Sequence, residues 1–275
     1  MSGLVAQNPQ IRRLRRLARR RRARHDEGLY LIEGPVLVQE ALEQGTLFQA
    51  VYYEPHQEYE LLIKELGACG IATYEVSAGV LSGITDSVNP RPIVGLAHIR
   101  ASAVADVVTL ARESKRPLLV LVDVRDPGNV GTILRAATAS GVAGVVCCVG
   151  TVDPWAPKVA RSAAGSLETM AIATGVSPNE LLPLLASQGI PTLATVPDEG
   201  SFYFQISLVG SVAIVLGNEA HGLDSEVLSQ VDSLVTIPME NNAESLNVAM
   251  AASVLCFEAQ RQRLTSGATR DVASA

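Results

Sequence analysis

A chain of 275 residues, 48% hydrophobic and 18% charged, has core material for one large or two modest domains and is too apolar to be disordered throughout. No apolar run reaches the roughly 18 residues that span a bilayer and no secretory-type apolar stretch opens the chain, so the expectation is a soluble, cytoplasmic protein. Charge is uneven: residues 1–25 hold nine Arg and no acid, whereas the remainder sets 13 Lys and Arg against 28 Asp and Glu. In chain order the first element is therefore a basic helix. The run I-R-R-L-R-R-L-A-R-R-R-R-A-R puts Ile11, Leu14, Leu17 and Ala18 on one stripe and guanidinium groups elsewhere. Such a helix can meet a polyanion while its stripe packs on the body, because Arg pairs with phosphate in a bidentate fork. A transit peptide and a solvated charge face are the competing readings.

Beyond this arm, 1–27, the pattern predicts two units. Residues 28–34 read as a strand, P-V-L-V-Q-E-A-L-E-Q-G as a helix ending at Gly45, and L-F-Q-A-V-Y-Y, E-Y-E-L-L-I-K-E-L-G and I-A-T-Y-E-V as strand, helix and strand. After an N-P-R-P breaker at 89–92 comes a last strand, P-I-V-G-L-A-H-I, which closes the first unit near Arg100. A linker, 101–117, leads to the second unit, 118–275. Its predicted strands are 118–124, 144–149, 192–196, 211–216 and 233–238, and its predicted helices about 129–140, 155–170, 179–188, 224–231 and 245–264. That alternation implies a parallel sheet covered on both faces. Asp126 and Ser245 suit helix starts, and Gly141 and Gly189 suit helix exits. The apolar final helix packs either in the core or against a second copy.

Cys69, Cys147, Cys148 and Cys256 have no C-x-x-C spacing, and His25, His56, His98 and His221 form no ligand cluster. The expectation is reduced thiols, mostly buried filler, and no metal.

Three separated stretches share an unusual make-up: D-P-G-N-V-G-T-I-L-R-A-A at 126–137, L-G-N-E-A-H-G-L at 216–223 and I-P-M-E-N-N-A-E-S-L-N-V-A at 237–249. Each follows a β-branched run, so all three should emerge at one edge of the sheet, where ligands of open α/β proteins bind. Asn129, Asn218, Glu219, Ser245 and Asn247 form the candidate polar set. Asn129 and Ser245 would also serve as helix caps. Arg135 is hard to explain as solvated surface within I-L-R-A-A-T, and a buried ion pair with Glu219 or Asp123 is its structural alternative. His221 reads as a turn residue, although it is a tempting base.

In this order and spacing the three stretches resemble motifs 1 to 3 of the SpoU (TrmH) family of RNA ribose 2′-O-methyltransferases, and D-P-W-A-P-K-V-A-R-S-A-A-G-S at 153–166 also resembles that family. The likeness covers roughly residues 118–264. More loosely, Y-L-I-E-G-P-V-L-V-Q-E-A-L after a basic segment is similar to the ribosomal-protein-like (L30e-like) α/β substrate-binding domain of the rRNA-modifying members, with N-P-R-P-I-V-G where those members commonly carry Gln-Gly. The resemblance implies a C-terminal SPOUT methyltransferase domain: a parallel sheet tied in a trefoil knot, which general topology rules would have rejected. It further implies S-adenosylmethionine as cofactor, rRNA rather than tRNA as substrate, and a homodimer with its site near the interface. It places Leu216, Gly217, Asn218, Ile237, Met239, Ser245 and Leu246 around the cofactor. Asn129, Arg135, Glu219, Ser245 and Asn247 become the catalytic candidates, and Arg12, Arg13, Arg16, Arg20, Lys158 and Arg161 the RNA contacts.

By that likeness Arg135 activates the 2′-hydroxyl. A guanidinium is almost never deprotonated, so its expected part is to orient ribose and phosphate while the proton leaves to a phosphate oxygen or Glu219. A non-catalytic RNA-binding protein and an unrelated nucleotide-binding α/β enzyme are the alternatives. Leu216, Ile237 and Leu246 would equally suit plain core, and Gly217 a special backbone.

Overall fold

The computed structural model describes residues 3–84, 92–241 and 245–266. Residues 89–91 of the N-P-R-P breaker and 242–244 of the third stretch lie outside them. The chain runs α1 (Pro9–Arg19), α2 (Arg21–Glu27), β1 (Leu29–Glu33), α3 (Pro35–Glu43), β2 (Phe48–Tyr53), α4 (Glu60–Ala68), β3 (Thr73–Glu75), β4 (Ile93–His98), α5 (Val104–Ser114), β5 (Leu118–Leu121) and α6 (Pro127–Ser140). It continues β6 (Gly144–Cys147), α7 (Pro157–Ala163), β7 (Ala171–Thr174), α8 (Pro178–Ser187), β8 (Thr192–Thr195), β9 (Ser201–Phe202), β10 (Ala213–Leu216), α9 (Ser225–Leu228), β11 (Ser233–Thr236) and α10 (Val248–Thr265). Two compact units result: Met1–Arg100 with Asp153–Thr169, and Ala101–Val152 with Met170–Ala275.

The first unit holds a four-stranded sheet in the order β1-β4-β2-β3, antiparallel except for the β2–β3 pair. The basic segment is built into it rather than standing apart as an arm. Asn8 caps α1 through the Gln10 N–H at 2.9 Å and Pro9 starts the helix. The stripe Ile11, Leu14 and Leu17 is then fully buried against Leu29, Leu31, Tyr52 and Leu96, with Ala18 packed beside it. At roughly 1.5 to 3 kcal/mol for each buried aliphatic side chain, that stripe fixes the helix and leaves its arginines outward.

Segment 153–169, expected to belong to the second unit, joins the first instead. Buried polar contacts hold it. Asp153 receives Arg24 Nε at 2.8 Å and Nη2 at 2.5 Å, Arg161 Nη1 donates to Glu33 at 2.6 Å, and Glu168 accepts from Thr46 Oγ1 at 2.7 Å and from the Tyr30 hydroxyl. Burial, then the neighbouring Glu168 carboxylate, pushes the Tyr30 hydroxyl well above the usual tyrosine range, so it stays a donor. The predicted helix 155–170 is shorter, ending at Ala163 as Ala164 and Gly165 turn left-handed. Residues Ala171–Thr174 then form β7, a strand that the residue pattern does not predict.

The second unit carries the expected parallel sheet, seven strands in the order β7-β6-β5-β10-β8-β11-β9. Leu118 to Leu121 and Ala213 to Leu216 are wholly buried because helices lie on both faces of these central strands. The linker 101–117 contains α5, whose Val107, Val108 and Ala111 join the core on one face. Cys147, Cys148 and Cys256 are buried filler, and burial pushes the last two thiols up to about 12. The chain leaves β5 toward β6 on one side and places β10 on the other, so the sheet order reverses between β5 and β10. That crevice is where open α/β sheets bind ligands.

Candidate active site

All three stretches emerge at the carboxyl edge of this sheet, from β5, β10 and β11. Asp126, not Asn129, caps α6, accepting the Asn129 N–H at 2.9 Å, and Pro127 opens the helix. Asn247, not Ser245, caps α10, its Oδ1 taking the N–H of Ala249 at 2.9 Å. The first cap is the helix start expected at Asp126, and the second replaces Ser245. Asn129 sits inside the first turn with its amide directed sideways, and Ser245 is left exposed.

A hydrogen-bonded chain ties the loops together. Asn247 Nδ2 donates to Asn129 Oδ1 at 2.9 Å, and Asn129 Nδ2 donates to Glu219 Oε1 at 3.0 Å. Glu219 also accepts the backbone N–H of Asp126 at 3.1 Å and of Arg125 at 3.2 Å. Burial works to raise the Glu219 carboxyl, yet the Asn129 amide and the backbone N–H groups of Glu219 itself, Asp126 and Arg125 outweigh it and hold the group below the ordinary carboxylate range. A carboxylate so engaged is a staple between loops.

A second tie lies alongside. Asn218 Nδ2 donates to the Asp123 carbonyl at 2.9 Å and to Asp123 Oδ2 at 3.1 Å, while Arg125 Nε holds Oδ1 at 2.9 Å. Asp123 has φ 54°, an uncommon conformation for a residue with a side chain, kept by these contacts. Gly217 has its own reason to be glycine. A Cβ there would meet the Gly222 backbone at 2.5 Å, so the requirement is close approach rather than a special φ.

A cleft of about 530 Å³ opens among these loops, a size typical of small-molecule sites. Gly217, Asn218, Ile237, Met239, Ser245 and Leu246, all assigned from sequence to the cofactor, line it. Leu216 does not: it is buried in the sheet beside Leu121, with its carbonyl accepting the Val122 N–H at 2.9 Å. Thr195, Val196 and Pro197, at the end of β8, also form the wall and were missed. Their signal was present in the sequence, since T-V-P comes after a strand that ends at the same edge. A polar depression adjoins the cleft, lined by Arg125, Asp126, Pro127 and Asn129 and sharing Asn218, Glu219, Ala220, His221 and Asn247 with it.

Arg135 is not brought into either hollow. Ile133, Leu134, Ala136 and Ala137 are buried, while Arg135 shares the exposed side of α6 with Thr132 and Ala139. The alternative reading of Arg135, a buried ion pair with Glu219 or Asp123, is not realised: Glu219 is engaged by N–H donors and Asp123 by Arg125 and Asn218. The six RNA candidates all fall in the first unit. Arg12, Arg20 and Lys158 are exposed, whereas Arg13 and Arg16 pair with Glu27 and Arg161 pairs with Glu33.

Comparisons with known proteins agree with one another. Residues 116–257 match the SpoU rRNA Methylase family, and residues 8–95 match the MRM3-like substrate binding domain. An uncharacterized tRNA/rRNA methyltransferase of Synechocystis sp. is 35% identical over 94% of this chain and 92% of its own length. The 23S rRNA (guanosine(2553)-2′-O)-methyltransferase RlmP of Bacillus subtilis is 32% identical over 83% of this chain and 87% of its own. Among solved structures, an AdoMet-bound rRNA methyltransferase from Sinorhizobium meliloti superposes with a TM-score of 0.81 at 29% identity, covering 95% of this chain and 97% of that one.

Proposed function

The chain belongs to the SpoU rRNA methylase family, and from that membership we propose that it transfers the methyl group of S-adenosylmethionine to a ribose 2′-hydroxyl of 23S rRNA. The observation that carries this reading is the meeting of three distant loops around one cleft, tied by Asn247, Asn129 and Glu219. The cleft suits the cofactor, combining backbone polar groups of the 217–222 turn with apolar Leu223, Val235, Ile237 and Leu246 that can cover an adenine. Gly217, Asn218, Ile237, Met239, Ser245 and Leu246 would hold it, and when bound it supplies an electrophilic methyl group. The polar depression beside Asn129 and His221 would seat the ribose.

The finer features of the fold belong to the same reading. A trefoil knot is supported by the strand order, in which β10 is inserted between β5 and β8 after β9 has been laid at the far edge. The mixed sheet of the first unit is the L30e-like substrate-binding domain, with the basic helix as its phosphate-facing side. Arg12, Arg20 and Lys158 meet RNA phosphates there. Arg13, Arg16 and Arg161 join them through their remaining N–H groups, since a guanidinium carries five donors.

A homodimer is supported by α10, where Met250, Phe257 and Leu264 are 61%, 47% and 58% exposed at a seven-residue spacing, an apolar stripe for a second copy. Arg135, outside the cleft of its own chain, then orients ribose and phosphate in the partner's site. The protein works in the cytoplasm, on rRNA. Calorimetry against S-adenosylhomocysteine, NAD and ATP, followed by transfer of tritiated methyl to rRNA and tRNA, tests the reading. Binding of S-adenosylhomocysteine alone and 2′-O-methylation of 23S rRNA are expected. NAD or ATP binding without it would sink the proposal, and label confined to tRNA would move the substrate.

A further inference from the structure

Among the described residues lining the polar depression, Arg125 is the one side chain with a permanent positive charge, and that side chain is 73% exposed. Its position is fixed at both ends. The Arg125 backbone N–H donates to Glu219 Oε2 at 3.2 Å, and near the tip of the side chain Nε donates to Asp123 Oδ1 at 2.9 Å. Asp123 is itself confined. Its Oδ2 accepts from Asn218 Nδ2 at 3.1 Å, and its Oδ1 lies so close over Gly150 that a Cβ there would come within 2.6 Å of it. Gly150 also has φ 95°, so this support for the carboxylate admits little but glycine.

The clamp occupies one of the five guanidinium N–H groups. Neither Nη group makes a hydrogen bond among the described residues, so a planar fork of four donors is held ready beside the place where the ribose would sit. The acids around it are already engaged. Asp123 is taken by Arg125 and Asn218, Glu219 by the N–H groups of Arg125, Asp126 and Asn129, and Asp126 by the first turn of α6. None of Phe, Tyr or Trp lines the depression among the described residues, so it offers no aromatic face on which a base could stack. It suits the sugar–phosphate backbone instead.

We propose that Arg125 grips the phosphate on the 3′-oxygen of the target nucleotide and so fixes the neighbouring 2′-oxygen toward the cleft. Every internal nucleotide of RNA carries that phosphate, one ring carbon away from the reacting hydroxyl. Its paired oxygens accept a guanidinium fork bidentately, and its charge compensates a cation whose carboxylate partner is shared with Asn218. Arg125 is thus a substrate-binding residue of its own chain's site. This assignment rests on the methyltransferase reading, and its test separates the two.

The experiment uses the full chain, S-adenosylhomocysteine as binding probe and total rRNA from cells lacking the protein as methyl acceptor. Single-turnover transfer of tritiated methyl is followed against rRNA concentration over a series of KCl concentrations. For Arg125→Gln the rRNA concentration at half-maximal rate should rise by roughly 10- to 10²-fold, the scale of one lost charged hydrogen-bonding pair. Its logarithmic dependence on salt should become shallower by nearly one unit. Arg125→Lys, which keeps the charge and loses the fork, should retain the slope and recover part of the affinity. Both variants should bind S-adenosylhomocysteine as the wild type does. An Arg125→Gln enzyme with wild-type half-saturation and slope overturns the assignment. So does one that keeps the slope but methylates other nucleotides, the mark of a base contact, and so does one that loses S-adenosylhomocysteine, where Arg125 would be holding the loops. Failure of the wild type to bind S-adenosylhomocysteine overturns the methyltransferase reading instead.

Discussion

Charged residues are used in opposite ways in the two units. In the first, Arg24 meets Asp153 and Arg161 meets Glu33 with the carboxylates almost wholly out of water, so these ions lock a helix onto a sheet. In the second, an exposed Glu219 and a half-buried Asn129 meet at a strand edge and hold loops that leave a cleft open between them. Residue type identifies possible chemistry, but the partner decides whether a group remains available for it. Arg24 and Arg12 look alike in a basic run. One is spent on structure, and the other faces solvent.

The comparison breaks most visibly at Asp153. Replacing it by Ala leaves Arg24 buried without its carboxylate, for which about 3 to 5 kcal/mol of destabilisation is expected, read as an earlier urea midpoint. A midpoint unchanged from wild type would show that the lock contributes nothing. In the other unit, Arg135→Ala should leave S-adenosylhomocysteine binding intact by calorimetry and slow methyl transfer by roughly 10²-fold, the scale of one lost electrostatic donor. Mixing Arg135→Ala with Ser245→Ala protomers sharpens this further, because shared sites regain activity and independent ones do not.

Gly217→Ala should cost about 1 to 3 kcal/mol and abolish cofactor binding, since the new methyl meets backbone that cannot move aside. Paired Arg12→Ala and Arg20→Ala changes should lower the salt dependence of RNA binding by nearly one unit of slope per lost phosphate contact. Arg13→Ala should do less, because Glu27 already engages that side chain. The smallest effect concerns Glu219. Its folded carboxyl is depressed, so its contribution is present above the unfolded value and is lost as pH falls through the folded one. Urea midpoints of wild type and Glu219→Gln should therefore differ at pH 7 and converge in acid.

Much of this site was legible because its pieces carry local signals. Asp126 and Pro127 announce a helix start, the β-branched runs announce buried strands, and three amide-rich loops after such strands fall on one edge. The illegible remainder depended on partners far away in sequence. Ser245 looked like the cap of the last helix because Asn247, two positions on, is an equally good one, and only backbone direction decides between them. Arg135 looked buried within an apolar run, yet the helical period that buries residues 133, 134, 136 and 137 turns 135 outward. β7 was hidden because a left-handed Ala164 ends the preceding helix early, short of A-I-A-T. Nothing in D-P-W-A-P-K-V-A-R could disclose that its Asp and Arg answer Arg24 and Glu33 more than a hundred positions away.

The helix that packs on the first sheet is encoded after residue 152, behind two strands and two helices of the other unit. A nascent chain leaving the ribosome therefore presents Glu33 and Arg24 well before Arg161 and Asp153 exist to neutralise them. The apolar core of the amino-terminal unit, Ile11 to Leu96, is complete by then, whereas its buried ion pairs close only after Asp153 and Arg161 have been made.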